Sequence, residues 1–291
     1  MSYQLTTAKV WDGTEWVNAA GAATGISTEY LVIAGGGGGG AGENTGDRKG
    51  GGGGGAGGYR CNVSGESSGT NESAEYALAL PAGVAYTITV GAGGAGAPTS
   101  ESNGTSGSDS RLGQIISEGG GRGMTRFQSQ GGPGGSAGAV GAQSAGTTKG
   151  VTGQGSDSGN GVYAAGGGGG GAGTNGATAT SSNAGDGGNG LASSITGSSV
   201  TRGGGGGGGG ESSGGTGGTG GGGNGGTSSG DTAGTANTGG GGGGTAYNAA
   251  SAGGSGIVIF RVPTGTSVSF SAGVTQTSAT VGENDVYTVT A

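Results

Sequence analysis

The side chains that most often carry out catalysis are scarce in this sequence. There is no histidine among the 291 residues, and histidine is the commonest general base and metal ligand. The one cysteine, Cys61, follows Arg60 but has no histidine to activate it, so we interpret it as a free thiol. Asp186 and Asn189 lie in a glycine-rich stretch whose carboxylates are too sparse to fill a calcium shell. The sequence therefore predicts no catalytic residue, no metal site and no cofactor, and a protein that is not an enzyme.

Nucleotide and nucleic-acid binding are not indicated either. Matches to G-x-G-x-x-G occur throughout the chain, but none follows a strand and opens an amphipathic helix, as a dinucleotide site requires. Lys149 is followed by Gly150, so there is no phosphate-binding G-x-x-x-x-G-K-[ST] loop. The net charge is −7 and the longest basic cluster is Arg48-Lys49, which is too little to neutralise phosphates.

Membrane insertion is not predicted. No apolar run approaches the roughly 18 residues of a membrane-spanning helix. The first residues contain no basic segment followed by an apolar stretch, so no signal peptide is indicated. We therefore expect synthesis in the cytoplasm.

Contact chemistry is concentrated in one loop of the glycine-rich middle. Residues 122–128 combine methionine, phenylalanine and two arginines, and arginine and aromatic residues are favoured at binding hot spots. Two interpretations are open: the loop packs its apolar side chains under the rest of the domain, or it is an exposed contact patch. Tyrosines beside glycine runs either lock the ends of these runs or are presented at a tip. The candidate contact residues are Arg122, Met124, Arg126, Phe127, Tyr163 and Tyr247.

The elements that position these loops are runs of glycine, which makes up 90 of the 291 residues. Runs of six or more glycines have no side chains with which to build a hydrophobic core. Either they are disordered or backbone hydrogen bonds order them, and we predict the second. Polyglycine-II helices have three residues per turn and no internal hydrogen bonds, so each can share its N–H and C=O groups with six neighbours. The runs are residues 35–40, 50–55, 166–171, 203–210 and 239–244.

Glycine-rich blocks recur along the middle of the chain. They start at Gly131, Gly166, Gly203 and Gly239, which are 35, 37 and 36 residues apart. Such a repeat predicts stacked units that bury a shared interior. We expect each unit to be an up-and-down pair of glycine helices, with the Ser-, Thr-, Asn- and Ala-rich segments as surface loops at their ends.

Apolar segments predict a small β-sheet cluster at one end of this bundle. Residues 30–34 and 256–262 are strand-like, and Leu112 with residues 115–116 offers another short strand. Residues 74–80 and 85–90 alternate around a turn at 81–83 and predict a hairpin. The expected fold class is mainly β and irregular, a polyglycine-II bundle with a small sheet cluster and no appreciable α-helix.

The two ends of the chain differ from its middle. Residues 9–17 predict a β-hairpin around Asp12-Gly13. A two-residue loop there would place Trp11 and Trp16 on one face. This hairpin either caps the domain or docks into a larger assembly. We divide the chain into an N-terminal attachment segment (1–29), a glycine-rich domain (30–262) and a short β tail of two or three strands (263–291).

The order of these motifs resembles the glycine-rich domain of tailed-phage structural proteins. The motifs are residues 30–34 followed by polyglycine, then 57–60, then 86–94, then 253–259. The resemblance implies a virion appendage such as a tail fibre or adhesin, whose end loops contact a host glycan or outer-membrane protein. It implies attachment to other virion proteins and allows a homotrimer. Two alternatives stay open: a capsid or tail decoration or spacer that binds no receptor, and an ice-binding or other extracellular glycine-rich structural protein.

Overall fold

In the part of the chain that the structure describes, regular secondary structure is limited to short strands and one 3₁₀ turn at Gly69–Asn71. The computed structural model describes residues 25–43, 49–128 and 130–291 in full, and the backbone of residues 9–11 and 16–18. This part of the chain confirms the predicted mainly β and irregular fold class. The strands are β1 Lys9–Trp11, β2 Trp16–Asn18, β3 Ile26–Ile33, β4 Tyr59–Cys61, β5 Leu78–Leu80, β6 Ile88–Thr89, β7 Ser110–Leu112, β8 Ile115–Ser117, β9 Leu191–Ser193, β10 Val200–Arg202, β11 Ile257–Pro263, β12 Gln276–Val281 and β13 Asn284–Val289.

The first glycine run, residues 35–40, shows how the glycine segments are held together. Each successive N–H bonds to a different neighbouring segment, and every third N–H returns to the same one. The acceptors are in residues 105–108 for Gly35 and Gly38, in 251–254 for Gly36 and Gly39, and in 52–55 for Gly37 and Gly40, at 2.9–3.0 Å. A three-residue turn without internal hydrogen bonds is the polyglycine-II conformation that the sequence predicts.

The carbonyl groups of the same run follow the same period of three. They accept N–H groups from three further segments, namely residues 120–123, 94–97 and 242–245. Three accepting and three donating neighbours make six, so this run lies in the interior of a bundle. The segments 50–58, 166–172, 203–210 and 240–246 are surrounded in the same way.

The bundle has no room for side chains at the glycine positions that face a neighbouring backbone. A Cβ atom built on Gly37 would lie 2.1 Å from the carbonyl oxygen of Gly121, and one on Gly54 would lie 2.1 Å from that of Gly37. Real Cβ atoms essentially never approach other atoms within 3.0 Å. Glycine is therefore required here by the distance between backbones.

The segments run back and forth between two ends of the bundle. Strand β3 leads directly into residues 35–40, and residues 50–58 return directly to β4, which pairs with β3. We refer to this end as the sheet end. The opposite end, where residues 41–43 and Lys49 lie, is the loop end.

The Ser-, Thr- and Asn-rich segments form outer segments of the bundle, so the prediction that they are end loops is wrong for much of their length. Asp186 and Asn189 lie three residues apart, as do Thr216 and Thr219 on the adjacent segment. The carboxylate of Asp186 accepts the N–H of Thr216 at 2.6 Å, and the side-chain oxygen of Asn189 accepts that of Thr219 at 3.1 Å. An outer segment lacks a glycine neighbour on its solvent side, so these side chains satisfy backbone groups that would otherwise be unpaired.

The repeat unit also contains more passes than the predicted pair of helices. Between residues 203 and 238 the chain crosses the bundle along residues 203–210, 214–219, 222–226 and 231–235. The first of these is an interior segment and the other three are outer ones. Each repeat therefore contributes both to the interior and to the surface.

The main sheet has the order β12-β13-β11-β3-β4, with β5 pairing to the first half of β3, and all its pairings are antiparallel. Because side chains alternate across a strand, it buries one apolar cluster on each face. Leu31, Ile33 and Ile259 lie on one face, and Tyr30 and Phe260 on the other.

The sheet includes residues from all three predicted segments of the chain. Strand β3 begins before residue 30, and β12 and β13 belong to residues 263–291.

The predicted hairpin between residues 74–80 and 85–90 is wrong. Strand β5 pairs with β3, while β6 pairs with β7, which in turn pairs with β8. Strand β3 is longer than predicted and extends beyond β4, so its first residues bond to β5 instead. Tyr76, which lies in the first of these two segments, is 98% exposed.

The N-terminal strands β1 and β2 pair as an antiparallel hairpin, as the sequence predicts. The register pairs Trp11 with Trp16, whereas a two-residue loop at Asp12-Gly13 would pair Trp11 with Thr14. The tryptophan side chains, and the rest of residues 1–24, lie outside the described part of the structure. Capping and docking therefore both stay predictions.

Replacing Gly206 by valine tests the role of backbone spacing. A Cβ atom at this position would lie 2.1 Å from the carbonyl oxygen of Gly242. We expect a loss of more than about 4 kcal/mol in the free energy of unfolding, or failure to fold. Chemical denaturation provides the measurement.

The matched control is Ala95→Val, at an exposed position on an outer segment. A surface substitution of this kind changes the free energy of unfolding by about 0.5 kcal/mol or less. Equal losses for the two variants would contradict backbone spacing as the constraint on the interior.

Candidate contact surface at the loop end

The turns at the loop end come from segments that are distant in the sequence. Backbone hydrogen bonds join them there: Glu101 donates to Gly42 at 2.7 Å, and Ala164 donates to Ser181 at 3.2 Å. Ala246 donates its N–H to Thr227 at 2.9 Å. The loop end is therefore one continuous surface built from many short turns.

Arg126 connects three of these turns. Its guanidinium group forms an ion pair with Glu43 and a second with Glu101, in which Nη2 and Oε1 lie 3.4 Å apart. The side chains of Arg126 and Glu43 are only 22% and 13% exposed. Partial burial reduces the solvent screening that weakens surface ion pairs. Arg126 thus acts mainly as a brace between turns.

Phe127 is presented to solvent by a strained backbone. Its φ of 58° lies in the left-handed region, which a bulky residue adopts only when its surroundings impose it. The N–H groups of Thr125 and Gln128 are held by Asn103 at 2.8 Å and by Ser144 at 3.0 Å. The ring is 63% exposed, and the guanidinium carbon of Arg126 lies 4.6 Å from its centre.

Tyr163 is a second aromatic side chain exposed at this end. It lies in a tight turn in which Val162 and Ala165 exchange backbone hydrogen bonds at 2.9 and 3.1 Å. The ring is 61% exposed, and Nζ of Lys49 lies 4.3 Å from its centre. Phe127 and Tyr163 therefore each combine an open ring surface with an adjacent cation.

The remaining candidates differ in their exposure. Tyr247 is half-buried at the loop end, next to Asn248, whose side chain donates to the carbonyl of Ser228 at 3.1 Å. Met124 is buried, and its backbone takes part in the bundle, so it is not a contact residue. Arg122 is exposed on the side of the same segment, and its Nε donates to the sulfur of Met124 at 3.4 Å.

Sequence reasoning missed the partners of the candidate residues. Glu43, Lys49 and Glu101 are distant in the sequence from residues 126 and 163, and nothing in their spacing relates them to those residues. It also missed a polar groove of about 670 Å³ at the sheet end. The charged side chains along that groove already have partners within the fold. Glu29 bonds to Arg261 and Glu75 bonds to Arg60, and Glu66 accepts hydrogen bonds from the N–H and hydroxyl of Ser194.

The chemistry available elsewhere is limited. In the described ranges no three His, Cys, Asp or Glu side chains are grouped so that they could hold a metal ion. Cys61 is buried and free, and its thiol lies 3.6 Å from a carboxylate oxygen of Glu66. Burial raises the pKa of this thiol to about 12, which keeps it protonated and unreactive near neutral pH.

The sequence of this chain matches a known protein family. A family model described as a glycine-rich domain matches residues 12–263. A search of curated proteins found no similar sequence. Within the described residues there is no helix whose length and apolar character would suit it to spanning a bilayer.

The state of Cys61 can be checked with a thiol reagent such as a disulfide dye. Because its thiol is buried and its pKa is raised to about 12, we expect little reaction in the native protein at pH 8. The same protein unfolded in guanidinium serves as the control and should react completely. Rapid labelling of the native protein would contradict the buried, protonated state.

Proposed function

We propose that this chain, which belongs to the glycine-rich domain family, is a non-enzymatic structural protein of a phage virion, because the order of its motifs resembles that of tailed-phage structural proteins. In this proposal it is a tail fibre or adhesin whose loop end recognises the host cell surface. The observation that carries the proposal is the position of Phe127 and Tyr163, which are exposed at the end of the bundle opposite the sheet.

The arrangement of the two ends supports this division of roles. The N-terminal segment leads into β3, and β3 lies in the sheet. Attachment to other virion proteins through residues 1–29 would therefore leave the loop end free to meet a surface. Loops held on a rigid scaffold are where binding function concentrates.

The chemistry of the loop end suits a host glycan or the loops of an outer-membrane protein. Aromatic rings provide contact area with little loss of conformational entropy, and serine and asparagine provide adaptable hydrogen bonds. Exposed residues of these kinds include Ser181 and Asn248, both in turns with positive φ. Several copies in one virion would strengthen weak single contacts through avidity.

One observation favours a second candidate function. Ser213, Thr216 and Thr219 are exposed at every third residue of one outer segment. A regular row of hydroxyl groups is the kind of surface expected of an ice-binding protein. Thermal hysteresis of the purified chain would distinguish this function from host recognition.

We expect the double variant Phe127→Ala, Tyr163→Ala to bind host cells at least about tenfold more weakly, since truncating a hot-spot residue costs more than about 1 kcal/mol. The measurement is binding of the fluorescently labelled full chain to intact cells of a panel of bacterial strains. Tyr76→Ala is the matched control, because Tyr76 is 98% exposed at the sheet end.

Unchanged binding by the double variant, with its fold intact, would remove these two side chains from the contact surface. Failure of the unaltered chain to bind any strain would favour a decoration or spacer role without a receptor. If Tyr76→Ala weakens binding to the cells as much as the double variant does, the binding reflects nonspecific adhesion of exposed aromatic side chains.

A further inference from the structure

The outermost strand of the main sheet, β12, has one open edge. It pairs with β13 through a two-residue turn at Gly282 and Glu283, and in the described part of the chain it pairs with no other strand. The sheet's other edge is β4, whose Tyr59 N–H donates to the carbonyl of Gln154 at 2.8 Å, so that edge is joined to the bundle.

The register shows which backbone groups face outward from β12. The N–H of Thr290 donates to the carbonyl of Thr275 at 3.2 Å, so this pair and every second pair after it are hydrogen-bonded within the hairpin. The intervening residues Gln276, Ser278 and Thr280 therefore direct their N–H and C=O groups away from β13. These are the groups that a further strand would bond.

The edge also lacks the features that usually prevent strand addition. Natural edge strands are commonly protected by lysine, proline, a bulge or short length. Strand β12 is six residues long with the sequence QTSATV, which contains no charge and no proline. Its first five residues are exposed. The whole chain carries a net charge of −7, so this neutral strand is a place where two copies can approach without direct charge repulsion.

We propose that β12 pairs antiparallel with β12 of a second copy of this chain, about a two-fold axis through Ser278. The three outward residues then meet in one register: Ser278 faces Ser278 of the second copy, and Gln276 faces its Thr280. All outward groups of both strands are satisfied, by about six hydrogen bonds. Other registers leave one or more of these groups unpaired.

A recess beside the edge fits this register. It has a volume of about 420 Å³ and is lined by Ser278, Ala279, Thr280, Asp285 and Tyr287. Residues that lie directly opposite each other in a sheet have their side chains on the same face. The side chain of Gln276 of the second copy therefore enters the recess on the face where Thr280 lies. Thr280 already donates its hydroxyl to Asp285 at 2.8 Å. The glutamine amide is the longest side chain of the strand and can donate to the same carboxylate.

The test is disulfide trapping of the full chain with Ser278→Cys. Across a hydrogen-bonded antiparallel pair the Cα atoms lie about 5.5 Å apart, within the range that a disulfide spans. Oxidised glutathione takes up the two electrons, and a covalent dimer should appear on a non-reducing gel. Thr280→Cys is the matched control, because its Cα atom would lie about 14 Å from that of Thr280 in the second copy. Cys61 is buried and does not compete.

Sedimentation velocity over a concentration series gives an independent measurement. The unaltered chain should form a dimer at high concentration. Ser278→Pro should be monomeric, because it removes an outward N–H that the hairpin does not use, whereas Ser278→Ala should still dimerise. Gln276→Glu leaves the backbone unchanged and should weaken the dimer, because it brings a carboxylate close to Asp285 of the second copy, which lies beside Thr280.

Two outcomes would overturn the proposal. One is that the chain is monomeric at every concentration, which would mean that a second copy does not bind the β12 edge and that this edge either binds a different partner or stays open. The other is a dimer that persists in Ser278→Pro, or equal trapping of the two cysteine variants, which would place the interface elsewhere.

Discussion

The hydrogen bonding between glycine backbones is the interaction on which the rest of this structure depends. An interior segment such as residues 35–40 donates to three neighbours and accepts from three others. Each hydrogen bond contributes about 1 kcal/mol net, while ordering a residue's backbone costs roughly 1–2 kcal/mol. The bundle therefore needs further stabilisation. A Cβ atom at a position such as Gly206 would separate the backbones and remove several of these bonds together.

The main sheet supplies that further stabilisation and also closes the bundle. Strands β3 and β11 are far apart in the sequence, yet they pair along Glu29 to Ile33 and Ile257 to Arg261. The two apolar clusters on either side of this pair contain most of the large buried side chains of the described structure. Burial of apolar area contributes about 25 cal/mol per Å², which the glycine interior cannot provide. A conventional hydrophobic core thus joins the first and last segments of a backbone-bonded array.

The surface of the bundle follows from the same constraint. Outer segments have N–H groups with no glycine neighbour, and side chains such as those of Asp186 and Asn189 accept them. At the loop end the turns are short, so several residues adopt positive φ, among them Phe127 and Asn248. Because loop side chains contribute little to the interior, their chemistry can vary without loss of the fold. This separation of scaffold and surface is the physical basis of the proposed recognition role.

The amino-acid sequence was enough to predict the polyglycine-II bundle, several of the strand-forming segments and the lack of histidine chemistry, although strands β9 and β10 were missed. These are local properties: a run of glycines has no Cβ atoms, and alternation marks a strand wherever it occurs. The three-dimensional fold was needed to show that β5 pairs with β3, that Phe127 is exposed while Met124 is buried, and that Arg126 forms ion pairs with Glu43 and Glu101. Pairing between distant segments depends on which edges and N–H groups the three-dimensional array leaves open. Spacing along the chain does not contain that information, because every glycine segment can bond to every other.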